Sequence, residues 1–259
     1  MQAITTDGWI ARTGDQIDRI HINVVSRDVQ AGRCVWVKRR TTLSQLLIPV
    51  ANGFFWVAGN PVKVFRTNAA WLRHETTSFQ LLNGSDRAAG ALGSHTVYAE
   101  ELPGADLAAL LKKNALNDTI MKIVGAAFRK MHGTYNPITL DWFSHGDPHL
   151  GNVLYDVASH RIGWLDFETA HRSQLHTIER HADDLLVLLL DLVGRSDEPL
   201  WRSLSPAFLK EYDNPEVISE LKKRLHPPRG FGAIWWAVRT SYLNRRELQK
   251  RLTWLRDRL

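Results

Sequence analysis

The residues whose types and spacing suit chemistry are concentrated in one stretch of this 259-residue chain, SHGDPHLGNVLYDVASHRIGWLDFETA, from Ser144 to Ala170. It holds His145, Asp147, Asn152 and Asp166. Two apolar runs, Val153-Leu154-Tyr155 and Ile162-Gly163-Trp164-Leu165, flank the polar turn Asp156 to Arg161, which is the pattern of a β-hairpin. Symmetric pairing about Ser159 predicts that Asn152 and Asp166 sit side by side at its open end. An amide oxygen beside a carboxylate is a hard-oxygen pair suited to Mg²⁺, which takes few protein ligands and fills its shell with water and phosphate. Asp147, on the loop ahead of Asn152, reaches the same mouth. A carboxylate there can orient a hydroxyl, or take its proton, as it attacks a phosphoryl group. The pattern predicts phosphoryl transfer.

The same residues admit other readings. His145 alone reads as a hydrogen-bonded core histidine, and Asp147 and Asp166 alone as turn or cap residues. His145, Asp147 and His149 also form H-x-D-x-H, and His181, Asp183 and Asp184 cluster later, as in a zinc-dependent hydrolase. Against that stands the absence of the H-x-H-x-D-H order of metallo-β-lactamase-like enzymes and of the His-Asp dipeptide of HD phosphohydrolases.

The elements that must position these residues divide the chain in two. Over the first hundred residues, IHINVVSRD (20–28) and CVWVKRR (34–40) predict an antiparallel hairpin around a Val-Gln-Ala-Gly turn. The apolar stretch 43–59 is too irregular to assign. In 69–84, Trp71, Leu72, Phe79 and Leu82 fall near helical spacing and Asn83-Gly84 closes the helix, which carries Glu75. A strand ends near Glu101, Pro103-Gly104 breaks it, and a helix capped near Asp106 follows. Helices are predicted over 118–133, 179–194, 215–225 and in the run from Ile234 to Leu259. LLVLLLDLV (185–193) is apolar on every side and so belongs at a core. The expected fold is α+β and two-lobed: residues 1–102 form a small strand-rich lobe and 103–259 a larger helical one, with the ligand in the cleft between them.

Composition bounds the function without choosing it. Hydrophobic residues at 44% and charged residues at 23% exclude a disordered or fibrous chain. The single cysteine, Cys34, excludes an intrachain disulfide and a cysteine-based zinc cluster, and predicts a reducing, cytoplasmic setting. The opening residues carry acids and no apolar core, unlike a signal peptide, and no stretch approaches the roughly 20 apolar residues of a membrane span. A net charge of +6 favours anionic partners. Trp235, Trp236, Tyr242 and Trp254, set among Arg and Lys near the C-terminus, suit either packing on the parent domain or contact with an anionic membrane surface, which would place the protein at the inner face of the membrane. No nucleic-acid partner is predicted.

H-G-D-x-x-x-x-N, from His145 to Asn152, followed by Leu165-Asp166-Phe167, resembles the catalytic loop and metal-binding Asp of the protein-kinase-like superfamily. The resemblance is to its small-molecule branch, since His-Gly-Asp is what aminoglycoside and choline phosphotransferases and some lipopolysaccharide-kinase-like proteins show. It implies a two-lobed kinase-like fold, ATP and Mg²⁺ as cofactors, Asp147 as the catalytic carboxylate, and Asn152 and Asp166 as metal ligands. VYAEELPGADL (97–107) resembles the hinge and following helix, so backbone groups near Glu101 and Leu102 would meet the adenine. HADDLLVLLLDL resembles the segment whose Asp buttresses the catalytic loop, with Asp184 the better match.

The family also needs a lysine for the α- and β-phosphates, held by a helix glutamate. Glu75 is the candidate for the latter, and Lys38 and Lys63 are both candidates for the former. Lys38 is preferred, because lipopolysaccharide kinases resemble its layout: strand lysine, inserted helical stretch, glutamate helix. Two departures stand out. No Gly-rich phosphate loop is visible, and Asp166-Phe167-Glu168 stands where protein kinases have Asp-Phe-Gly. The resemblance thus implies a phosphotransferase acting on a hydroxyl of a small molecule or glycolipid, with a catalytically dead binding module or a protein Ser/Thr kinase as alternatives.

Overall fold

A computed structural model describes residues 23–227 and 243–259. The predicted strand residues 20–22, and Trp235, Trp236 and Tyr242 of the C-terminal run, lie outside the described residues.

The small lobe is built on the predicted hairpin, β1 (Asn23–Gln30) and β2 (Arg33–Arg40). Ala31 and Gly32 both have positive φ, 49° and 78°, as a two-residue hairpin turn needs to match strand twist. Then come α1 (Ser44–Val57), β3 (Val62–Val64), α2 (Asn68–Asn83), β4 (Ala89–Ala91) and β5 (Thr96–Glu100), and the sheet order is β1-β2-β5-β4. Helix α2 begins where Thr67 accepts the N–H of Ala70. It buries Trp71, His74, Glu75, Ser78 and Phe79 on one face, which brings Glu75 toward the cleft. Helix α1 is the stretch that resisted assignment. Pro49 lies inside it and no charged residue marks an outer face, so the helical period is hidden in its sequence.

The larger lobe follows as β6 (Ala105–Asp106), α3 (Leu107–Lys112), α4 (Asp118–His132), β7 (Tyr135–Asn136), β8 (Asp141–Trp142), β9 (Val153–Asp156), β10 (Arg161–Trp164), β11 (Thr169–His171), α5 (Thr177–Arg195), α6 (Glu198–Tyr212), α7 (Pro215–Arg224) and α8 (Arg245–Arg256). Asp106 caps α3 by accepting the N–H of Ala109 at 2.7 Å, as its sequence predicts. Helix α5 is buried continuously from Arg180 to Gly194 and forms the centre of the core. Helix α6 has no counterpart among the helices predicted from the sequence, and Pro199 and Pro206 interrupt its pattern. Pro199 sits in the first turn, where no N–H is needed, and Pro206 is carried inside the helix by its buried face of Trp201, Leu204 and Phe208. The outcome is the α+β, two-lobed arrangement expected from the sequence.

Several contacts tie the lobes together. Strand β3 pairs with β11. The Asn83 side chain at the end of α2 donates to the Trp164 carbonyl at 2.9 Å and accepts the Trp164 N–H at 2.8 Å, clamping α2 to β10. Others are made by Lys38 and Glu168, within the candidate site.

Candidate active site

The hairpin that carries the site forms, but in a different register from the one predicted. Arg161 pairs with Asp156 and Trp164 with Val153, across a four-residue loop, Val157 to His160, whose last residue has φ of 54°. Pairing symmetric about Ser159 would need an odd loop. The residue paired beyond the ladder is therefore Leu165, whose N–H donates to the Asn152 carbonyl at 2.9 Å, and Asp166 is not directly opposite Asn152. A one-residue shift reverses the face of every side chain. Asp166 itself takes the left-handed conformation, φ 63°. Such a conformation in a non-glycine residue costs energy and persists only where surrounding contacts impose it.

Lys38 holds the Asp166 side chain from the small lobe. Its Nζ donates to Asp166 Oδ1 at 2.7 Å and to Glu75 Oε1 at 2.9 Å, joining β2, α2 and the segment after β10. Lys63, the other candidate, lies instead on β3 opposite Ala170. Burial by itself would lower the Lys38 pKa, but Asp166, Glu75 and Glu168 outweigh it and hold the ammonium above the ordinary lysine range. The two carboxylates respond in opposite directions. Burial pushes Glu75 up further than Lys38 can pull it down, whereas at Asp166, whose side chain is 36% exposed against 8% for Glu75, the pull of Lys38 wins over burial. The shared proton-rich centre is thus a Lys38–Asp166 ion pair with Glu75 as a buried third member.

Glu168 was noticed in the sequence only as a departure from glycine. In the structure it belongs to this cluster: it accepts from the Asn23 side-chain amide. Burial, reinforced by Asp166, Glu75 and Asp147 against Lys38, pushes its carboxyl up to about 8. One lysine cannot neutralise three neighbouring acids, so Glu168 holds a proton at neutral pH.

The loop from His145 to Asn152 is held from below. Asp184 accepts the N–H of His145 at 2.7 Å and of Gly146 at 2.8 Å, which is the buttressing role anticipated for it, and His132 Nε2 lies 3.1 Å from the same carboxylate. Burial would raise the Asp184 pKa, but His171, His132 and His145 outweigh it and keep it well below the carboxylate range. His145 is fully buried, its Nε2 2.9 Å from the Leu165 carbonyl and its Nδ1 3.3 Å from the donating N–H of Asp147. That pairing makes it neutral with the proton on Nε2, and burial lowers its pKa accordingly. Its role is structural. His149 accepts the Gly151 N–H, and no group of three or more His, Cys, Asp or Glu among the described residues is placed to hold a metal, so the zinc-hydrolase reading has no geometry behind it.

Asn152 is buried, and its Nδ2 donates to the Asp147 carbonyl at 2.9 Å. This bond fixes the amide with Oδ1 turned the other way and fixes the backbone that carries the half-buried Asp147. Asn152 and Asp166 offer hard oxygens and no nitrogen or sulfur donor, a set that fits Mg²⁺ completed by water and phosphate and does not fit zinc.

At the junction between lobes, the Glu101 N–H donates to the Cys34 carbonyl at 2.9 Å, and the Glu101 carboxylate pairs with Arg27. Leu102 is buried, with Cδ1 so near Gly163 that a Cβ there would lie 2.9 Å away. Gly104 has φ of 108° and passes against the Tyr155 carbonyl, so the backbone turns here in a way only glycine tolerates.

No family model and no curated protein matches the chain. Among solved structures it is similar to an ethanolamine kinase from Plasmodium vivax, at 10% identity and a TM-score of 0.45 over 92% of this chain and 80% of that one. It is similar also to a Mycobacterium tuberculosis protein solved in complex with erythromycin, at 15% identity and a TM-score of 0.42 over 81% of this chain and 53% of that one.

Proposed function

We propose that this protein is an ATP- and Mg²⁺-dependent phosphotransferase of kinase-like fold that phosphorylates a hydroxyl of a small molecule or glycolipid, with a lipopolysaccharide-type sugar the favoured acceptor. The observation that carries the reading is Lys38 held at 2.9 Å and 2.7 Å from Glu75 and Asp166 across the cleft, above a loop in which Asn152 and Asp147 are fixed to each other. An ammonium has three N–H donors, and two are committed to carboxylates. The third is available to a phosphate oxygen, and the carboxylates keep the group charged for that purpose.

In this reading Asn152 and Asp166 hold Mg²⁺, which supplies neutralisation of the charge on the transferring and leaving phosphates. Asp147 orients the acceptor hydroxyl and accepts its proton as the new oxygen–phosphorus bond forms and the bond from the γ-phosphorus to the bridging oxygen breaks, releasing ADP. Asp184 and His145 act at one remove, fixing the loop backbone. Since the Glu101 N–H is spent on β2, the adenine contacts are assigned to the Glu101 carbonyl and the Leu102 amide.

Transfer from γ-labelled ATP with Mg²⁺ into lipid, small-molecule and protein fractions tests the reading, with Asp147→Ala as the control. Label entering one fraction and lost in the variant is expected, with Mg²⁺-ATP binding retained. Loss of about 10³-fold or more is the scale for removing such a group. Full activity in Asp147→Ala would refute the catalytic assignment, and Mg²⁺-ATP binding without transfer into any fraction would instead favour a binding module.

A further inference from the structure

Helix α1 has two sharply different sides. Ser44 and Ile48 are buried, and the Asn52 side chain donates to the Val64 carbonyl and accepts the Val64 N–H, both at 2.9 Å, fastening the helix to β3. On the opposite side stand Leu43, Leu46, Val50, Phe54 and Val57, spaced by three or four residues, all exposed, with Leu46 at 72% and Val50 at 70%. Trp56 beside them is 70% exposed. The fourteen residues of α1 include no charged side chain. Stable soluble surfaces do not usually leave so continuous an apolar stripe in water.

The surroundings select the occupant. From Val29 to His74 the chain contains no Asp or Glu. Arg39 just before α1, Arg66 just after β3 and Arg73 on α2 are exposed and form no ion pair among the described residues. An uncharged apolar helix flanked by cations, with tryptophan and phenylalanine on its outer side, matches the boundary of an anionic bilayer: acyl chains for the stripe, headgroups for the arginines. A second protein surface would have to supply acids to meet the same cations.

We infer that α1 is a membrane-docking element that seats the protein on an anionic lipid surface. The helix is coupled to the candidate site, since β3 pairs with β11, which begins three residues after Asp166. Docking through α1, whose buried side carries β3 and β11, therefore holds the segment following Asp166 about one helix diameter, roughly 10 Å, from the lipid, and the acceptor class becomes a headgroup or sugar carried by a lipid rather than a free metabolite. That second step rests on the phosphotransferase reading; the docking itself does not.

The test is sedimentation of the full chain with phosphatidylglycerol-containing vesicles and with pure phosphatidylcholine vesicles. Binding to the former is expected, weakening with added salt. Leu46→Asp/Val50→Asp should lose at least about tenfold in affinity, because charges are expelled from the acyl boundary. Both positions point outward, so the melting temperature and Mg²⁺-ATP binding should stay at the parental level. Arg66→Glu/Arg73→Glu should abolish the preference for phosphatidylglycerol. No vesicle binding by the parent, or binding unchanged in the aspartate variant, would overturn the proposal. So would a parent that is a dimer split by the same substitutions and blind to vesicles, since the stripe would then belong to a second copy. An inactive kinase that still docks would refute the phosphotransferase reading and leave the docking standing.

Discussion

The candidate site depends on single groups whose removal leaves partners buried and unmatched. Asp184 shows this most directly. Its carboxylate accepts the N–H groups of His145 and Gly146 and lies against His132, all of them buried. Asp184→Ala strands these donors together, and the expected cost is about 3–5 kcal/mol. In a chain of this size that corresponds to a fall of roughly 8–15 °C in melting temperature. Asp184→Asn keeps one acceptor but turns an amide NH₂ toward the other donor, so its loss should be intermediate. Thermal unfolding of both variants checks the order, and an Asp184→Ala protein melting within about 2 °C of the parent would contradict it. At this scale much was legible in advance, because His145, Asp147, Asn152 and Asp166 advertise themselves by residue type and spacing, and Asp184 by the resemblance of the segment around it. Glu168 and Asn83 did not: a glutamate on a loop and an asparagine at a helix end have ordinary roles, and only the fold brings them against Asn23 and Trp164.

At the scale of elements, sequence period decides what can be read. Helix α2 was legible because a polar face alternates with its buried one, and α5 because its apolar run is longer than any surface helix would carry. Helix α1 was not, since it has Pro49 and no polar face, and α6 was masked by Pro199 and Pro206. The register of β9 and β10 was missed for another reason: side-chain alternation does not report whether the connecting loop holds an even or an odd number of residues. The packing of α4 on α6 gives a prediction opposite to helix propensity. Gly125 lies mid-helix, where alanine ordinarily stabilises by about 1 kcal/mol. A Cβ there would sit 2.2 Å from the Phe208 carbonyl oxygen and 3.1 Å from the Tyr212 amide nitrogen, both backbone atoms that cannot rotate away. Gly125→Ala should therefore force the helices apart and destabilise by about 1–3 kcal/mol net. Urea unfolding measures it, and a stabilised variant would mean that α4 and α6 pack less closely than described.

For the molecule as a whole, the distribution of buried titratable groups sets how stability varies with pH. His74, on the buried face of α2, is lowered to about 4 by burial first and, beyond that, by its neighbours His145 and Lys63. His181, stacked on His132 with ring centres 3.9 Å apart, is lowered to about 3 by burial first and His132 second. Burial lowers His132 and His145 as well. His74 and His181 therefore stay neutral in the folded chain well below pH 6.5, where in the unfolded chain each takes up a proton, and the lowered His132 and His145 act in the same direction. As pH falls from about 6.5 toward 4, the unfolded state binds more protons and stability drops, by about 2 kcal/mol at pH 5 for each of His74 and His181. Glu168, pushed up to about 8, and Glu75, also raised by burial, act in the reverse sense: they hold protons in the folded state that the unfolded chain releases above about 4.5. Stability therefore rises as pH falls from above 8 toward 6.5. Below 6.5 four histidines oppose two acids, and the histidines prevail. Urea denaturation across pH 5 to 9 should show a maximum near pH 6.5, with the steeper fall on the acid side. Glu168→Gln should flatten the alkaline limb and leave the acid limb in place. A curve that kept climbing from pH 6.5 down to 5 would mean that the histidines beneath the loop are charged in the folded protein. In that case the neutral His145 on which the Asp147 backbone rests would have to be abandoned.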